Sequence, residues 1–251
     1  SGFDQILATT ELAAGRLMKI VSKPENVVVA GDTRFDQVIH RAQQTEIETV
    51  LPQNVQEWSL TIVAGSTWPE DDDIVLPAVS MLRRSFSLLR LILVPHEPFE
   101  PKLTQLEEKL GRTQLISRRL TQLDYETPPD DFNVLIVDKI GVLANLYAAG
   151  DIAFVGGGNG PGVHSVLEPA AHGLPVMFGP EMTNSGEAVE MVEAGCGFVV
   201  NSSEEMSTIC RSWLVNKAAL TAVQRQSATY VHERSGAAER VHRLFVENRK
   251  H

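Results

Sequence analysis

The chain has 251 residues, 43% of them hydrophobic and 22% charged, a composition that supports one large buried core or two modest ones and excludes fibrous and disordered classes. Its formal charge of −10 opposes non-specific attraction to nucleic acid or anionic lipid, so a small anionic ligand needs a local site. No apolar run approaches the roughly 20 residues of a membrane span, and Cys196 and Cys210, outside any CxxC spacing, predict free thiols in a reducing, cytoplasmic compartment.

The opening FDQILATTELAAGRLMKI reads as a strand and a helix belonging to a preceding unit, with a boundary near Lys23 and Pro24. Residues 1–23 are thus expected to be a remnant or linker and 24–251 the main domain. The start without methionine suggests a fragment or processed product. Short runs rich in Val, Ile and Leu then predict strands at Val27–Ala30, Leu60–Ala64, Leu91–Val94, Val134–Val137, Ile152–Val155, Val176–Phe178 and Phe198–Val200, with helical-period segments between them. Continuous rather than alternating apolar runs indicate a parallel sheet covered by helices on both faces. After Val200 the chain turns helical, and AAERVHRLFVENRK carries Ala237, Val241, Leu244 and Phe245 on one stripe with Arg240 and Arg243 opposite.

The runs VVVAG, TIVAGS, LILVPHEP, VLIVDKIG and AFVGGG end in small, polar or charged residues, at the sheet edge where doubly wound folds bind ligands. Asp32 and Arg34 begin a helix there, to cap it or to orient a ligand. Ser66 and Thr67 offer hydroxyls. The acids Glu70 to Asp73 cannot all face one ion and precede an apolar helix, so they read as helix N-terminal charge, and no metal site is expected. His96 and Glu97 follow a strand between two prolines, where a histidine can bond a phosphate or a base.

The stretch GGGNGPGVHSVLEPAAHG, Gly156 to Gly173, is the densest glycine run and leads into a helix, which suggests bare N–H groups aimed at an anion. It fits neither GxGxxG nor the Walker pattern. Ser165 and Glu168 have capping-box spacing, with a helix starting at Pro169 as the alternative register. In either, Glu168 can accept two ribose hydroxyls. His164 beside Ser165 lacks a GxSxG elbow, and no nucleophile is assigned.

Taken together, VAGDTRFDQV, VAGSTWPEDD, PHEP, DKIGVL and FVGGGNGPGVHSVLEPAAHGLPVMFGP, in this order, resemble the C-terminal half of the 3-deoxy-D-manno-octulosonic acid (Kdo) transferases of lipopolysaccharide synthesis, from about Phe3 onward. The resemblance implies a Rossmann-like α/β domain, a parallel sheet with helices on both faces, forming the C-terminal half of a GT-B glycosyltransferase. It implies CMP-Kdo as donor, a lipid A precursor as acceptor, and neither metal nor cofactor. Carried over, the nucleotide contacts are Pro95 and His96, the loop Ile140, Gly141 and Val142, and Ser165, Val166, Leu167 and Glu168. Ser66, Thr67, Gly157, Gly158, Gly162 and His164 are further donor contacts.

The chain departs from the family at three places. It has His96-Glu97 where the family often has arginine and histidine, Ile140-Gly141-Val142 for Met-Gly-Glu, and Ser165 for asparagine. The family's general base, a glutamate, and its membrane anchor belong to an N-terminal acceptor domain. The resemblance therefore implies a chain that binds CMP or CMP-Kdo without nucleic acid and is inactive alone. The whole protein is expected at the cytoplasmic face of the inner membrane, reaching membrane and lipid A only through that missing domain. Two alternatives stay open: another GT-B enzyme or an epimerase using a UDP-sugar, and a non-catalytic nucleotide-binding or interaction domain.

Overall fold

The computed structural model describes residues 3–123 and 131–248. In chain order the first elements are β1 (Ile6–Ala8), α1 (Glu11–Met18), β2 (Val27–Val29), α2 (Thr33–Gln43), α3 (Gln53–Gln56), β3 (Thr61–Thr67), α4 (Pro69–Arg83), β4 (Arg90–Pro95), α5 (Glu100–Gly111) and β5 (Ser117–Arg119). They are followed by β6 (Val134–Ile136), α6 (Leu143–Leu146), β7 (Ile152–Val155), α7 (Leu167–Ala171), β8 (Val176–Phe178), α8 (Gly186–Glu193), β9 (Gly197–Val199), α9 (Ser203–Val215), α10 (Lys217–His232) and α11 (Ala237–Asn248).

Strands β3 to β9 form one parallel sheet in the order β5-β6-β4-β3-β7-β8-β9. The apolar runs are continuous because both faces are buried. Along β3 and β4, Ile62, Ala64, Leu91 and Leu93 pack on the side of α4, α5 and α9, while Val63, Ile92 and Val94 pack on the other with Phe132 and Tyr147. Each Val, Leu, Ile or Phe among them, removed from water, contributes about 1.5–3 kcal/mol.

Two features differ from the sequence expectation. The run Val27–Ala30 is not part of this sheet: β2 pairs in parallel with β1, so a separate two-stranded sheet joins residues on both sides of Lys23 and Pro24. The edge strand β5 is Ser-Arg-Arg, which no hydrophobic pattern announces; it forms because it has β6 as a partner on one side only.

The last helix docks on α2. Asp36 accepts the Gly236 and Ala238 N–H groups at 2.6 and 3.1 Å, and Arg240 turns inward to donate to the Ala30 carbonyl at 2.8 Å. Arg240 therefore serves attachment, while Phe245 of the expected stripe stays exposed. Arg249 and Lys250, read as part of this helix, lie outside the described residues. No helix among the described residues is long and apolar enough to cross a membrane, and both cysteines are buried and unpaired.

The strand order places a topological switch point between β3 and β7. From β3 the chain moves outward through β4, β5 and β6, then returns to the other side of β3 as β7. In open α/β sheets the crevice beyond the carboxyl ends of two such strands is the ligand position. Here it is bounded by Ser66 to Asp71, the end of β3 and the first turn of α4, and by the glycine run after β7.

Candidate functional site

The two walls of this crevice are brought together by close backbone contact. A Cβ on Gly156 would stand 2.2 Å from the Ser66 carbonyl oxygen and 2.6 Å from Thr67 Cα, so no other residue fits there. Opposite it Ser66 holds φ 54°, the sole non-glycine in the left-handed region among the described residues, where β3 shifts register against β4.

Asp71 ties the walls. Its carboxylate, fully buried in the first turn of α4, accepts the Trp68 N–H at 2.9 Å, the Gly157 N–H at 2.8 Å and the Asn159 side-chain amide at 2.9 Å. The four acids fan around the helix start. Asp71 points inward, Asp72 is nearly buried, Glu70 is exposed, and Asp73 pairs outward with Lys109 at 2.7 Å. Among the described residues no three His, Cys, Asp or Glu side chains converge to hold a metal ion.

The glycine run does not present a row of bare amides. The N–H groups of Gly156, Gly157, Gly160 and Gly162 bond within the protein, Gly158 backs onto Gly179, and Gly162 backs onto Asn184. The amides of Ser165, Val166 and Leu167, one segment later, take no acceptor among the described residues. Neither expected helix register occurs. Helix α7 starts at Leu167 with Val166 at the N-cap, and the Ser165 hydroxyl accepts no bond from the Glu168 N–H, so the capping box does not close. Pro169 fits the first turn, where its missing N–H removes no intrahelical bond.

Around these amides lies a cavity of about 380 Å³, lined by His164 to Glu168, Asn184 and Ser185, and by Arg34, Gln37 and Arg41 of α2. Its size falls within the span of small-molecule sites, about 300–1,000 Å³. The side chains of Val166 and Leu167 belong to the core, so only their backbone faces a ligand. Burial pushes the Glu168 carboxyl above its ordinary pKa, and Arg41, 3.4 Å away, pulls it back toward the ionised form. Asp32 caps α2 by accepting the Arg34 N–H at 2.9 Å, and the Arg34 side chain bridges Asp32 and Glu187. Burial opposes ionisation of Asp32, but its bonds to Arg34 prevail and hold the carboxyl below its usual range.

Pro95 and His96 line a second, smaller crevice with Thr67 and Trp68. The two spaces share a wall, because the His96 and His164 rings stack with centroids 4.4 Å apart. Ile140, Gly141 and Val142 line neither: Ile140 is exposed, Gly141 takes φ 83°, and Val142 is buried under α6. Sequence reasoning gave no role to Trp68, Asp71 singly, or Arg41. Arg41 was discoverable, since it repeats the face of Arg34 two turns on. The contacts of Trp68 and Asp71 join segments almost 90 residues apart or more and leave no local signal.

No family model matches the chain. Several curated Kdo transferases match at 26–34% identity. The one from Chlamydophila psittaci is 28% identical over 249 residues, 98% of this chain and 55% of that protein. The chain spans about half the length of the curated relatives it matches over nearly all its own residues. Among solved structures, the C-terminal CMP-Kdo binding domain of WaaA from Acinetobacter baumannii has a TM-score of 0.61 at 22% identity, covering 79% of this chain and 97% of that one. UDP-GlcNAc 2-epimerase from Neisseria meningitidis, bound to UDP-GlcNAc, has a TM-score of 0.65 at 16% identity, covering 96% of this chain and 61% of that one. At such identities the structures establish the fold alone, a Rossmann-like α/β domain of the GT-B type. In sequence the chain resembles the C-terminal half of the Kdo transferases over almost its entire length, as its motifs imply.

Proposed function

We propose that this chain binds CMP-Kdo as the donor half of a glycosyltransferase that passes Kdo to a lipid A precursor. The observation that carries the reading is that four of the five motif segments shared with the Kdo transferases, all but DKIGVL, meet at the two adjoining crevices. Ser66, His96, His164 and Ser165 to Glu168 stand at the carboxyl ends of β3, β4 and β7, on either side of the switch point. Relatives named as Kdo transferases and a fold neighbour named as a CMP-Kdo binding domain support the donor class.

In this reading Glu168 accepts the ribose hydroxyls and the free amides of Ser165 to Leu167 meet the phosphate. The cations Arg34 and Arg41 supply positive charge that the chain lacks beside Pro95. Stabilising the departing CMP phosphate is the contribution of this domain to transfer. The base that deprotonates the acceptor hydroxyl comes from the part of the relatives that this chain does not match, so the isolated chain binds donor without transferring it. No metal takes part.

Calorimetric titration with CMP, UMP and UDP tests the reading. CMP should bind best, and Glu168→Ala should weaken it by about 1–3 kcal/mol, the scale of hydrogen bonds to a charged acceptor. The fold should survive that change, because the partner left behind, Arg41, is half exposed. Preference for UDP would move the chain to the UDP-sugar enzymes, and unchanged CMP affinity in the variant would sink the role of Glu168.

A further inference from the structure

His164 stands between the two crevices, and the groups around it determine where its ring proton sits. Trp68 Nε1 donates to His164 Nε2 at 3.0 Å. An indole N–H can only donate, so Nε2 must carry a lone pair and the proton must be on Nδ1. His96 lies across both partners, its ring centroid 4.8 Å from that of Trp68 and 4.4 Å from that of His164, with both ring pairs inclined by 21°. Trp68 is itself held: its backbone N–H bonds Asp71, and Lys102 Nζ sits 5.2 Å from its ring centroid.

Charging His164 would turn Nε2 into a second donor facing the indole N–H and break this bond. The surroundings add to that barrier. Burial first, then His96, keep His164 below the ordinary imidazole range, while Asp71 from α4 opposes them. The other charged groups lining the same cavity are Arg34 and Arg41 of α2, Glu168 of α7 and Glu187 of α8. The Nδ1 position has no acceptor among the described residues, although His164 lines the cavity.

We propose that Trp68 is a positioning residue that holds His164 as the neutral Nδ1–H tautomer, so that His164 offers an anionic nucleotide a hydrogen-bond donor that carries no charge. This rests on the reading of the cavity as a nucleotide site. His164 donates whatever the pH near neutrality, so its contribution to nucleotide binding does not follow pH there.

Nitrogen NMR of the full chain, uniformly ¹⁵N-labelled, reads the imidazole tautomers directly from about pH 5.5 to about pH 8.5, the interval in which an ordinary histidine changes charge. His164 should show a protonated Nδ1 and a bare Nε2 throughout most of it. Trp68→Phe should release the ring to mixed tautomers, move its midpoint upward, and weaken CMP binding above neutrality by about two- to tenfold, the loss of one neutral hydrogen bond. A proton on Nε2, or an ordinary midpoint for wild-type His164, overturns the inference, and so does a Trp68→Phe protein with unchanged tautomer and affinity. The wild-type spectrum is decisive even where the variant does not fold. Failure of the wild type to bind CMP would remove the proposed function, and with it the ligand of His164. An ordinary titration with CMP binding intact overturns only the present inference.

Discussion

Replacing Asp71 by alanine removes three hydrogen bonds at once, and their burial sets the magnitude. The Gly157 N–H is buried, with Asp71 as its acceptor at 2.8 Å, so leaving it bare costs about 1–3 kcal/mol. The Trp68 N–H and the Asn159 amide are partly buried, and losing each bond costs about 0.5–1.5 kcal/mol. A negative charge in the first turn of the 15-residue helix α4 is worth a further 0.3–1 kcal/mol or so. The total, about 4 kcal/mol, is a large part of the roughly 5–15 kcal/mol that holds a domain folded. Asp71→Asn is the controlled comparison. Its carboxamide oxygen can keep the bonds from Trp68 and Gly157, which share Oδ2, and Asn159 can turn its amide around to accept from the new NH₂ group. That variant should lose only about 1–2 kcal/mol, the difference between charged and neutral acceptors. Urea unfolding followed by tryptophan fluorescence and by circular dichroism measures both variants. The alanine variant should also bind CMP more weakly, because Gly157, left without its acceptor, begins the turn that leads to His164. A loss below about 1 kcal/mol for Asp71→Ala would refute the claim that this carboxylate fastens the glycine run to α4.

The close approach at Gly156 and the buried Asp72 give two further tests. Gly156→Ala puts a methyl group 2.2 Å from the Ser66 carbonyl oxygen and should cost about 3 kcal/mol as β7 is forced from β3. Gly186→Ala, with nothing within 4 Å, should be neutral or slightly stabilising, and equal urea midpoints for the two would contradict the packing argument. Burial pushes the Asp72 pKa up to about 7, against the pull of Thr67 and Lys109; the Thr67 hydroxyl is near but misses hydrogen-bond geometry. Because this pKa is raised on folding, the folded state binds the proton more tightly. The stability it contributes is complete below the unfolded carboxylate pKa and is lost as pH rises to about 7. Asp72→Asn should therefore gain on the wild type by about 2 kcal/mol between about pH 5 and about pH 8. A gain that is flat or reversed over that interval would show that Asp72 stays ionised in the folded protein.

Much of the architecture was legible in the chain because its cause is local. Six of the seven strands of the main sheet were readable, since a strand buried on both faces needs a continuous apolar run, as in Leu91–Val94 and Ile152–Val155. The seventh, β5, escaped because an edge strand of Ser and Arg is specified by its neighbour and not by its own residues. The placement of β2 was misread for a related reason: Val27–Val29 is as apolar as a core strand, and only its pairing with β1 removes it from the main sheet.

The candidate site divides along the same line. Residue types alone determined which glycines, acids and histidines stand at the strand ends and that a glutamate follows the glycine run, because such residues are visible one by one. Tertiary structure decided what each group does. It assigned the glycines to packing against Ser66, Gly179 and Asn184, moved the free amides to Ser165–Leu167, and brought Arg41 to Glu168. It also joined Trp68 to His164 across 96 positions of chain. A side chain's chemistry is a property of its own atoms, whereas its charge, tautomer and partners are set by neighbours that only the folded chain brings within a few ångströms.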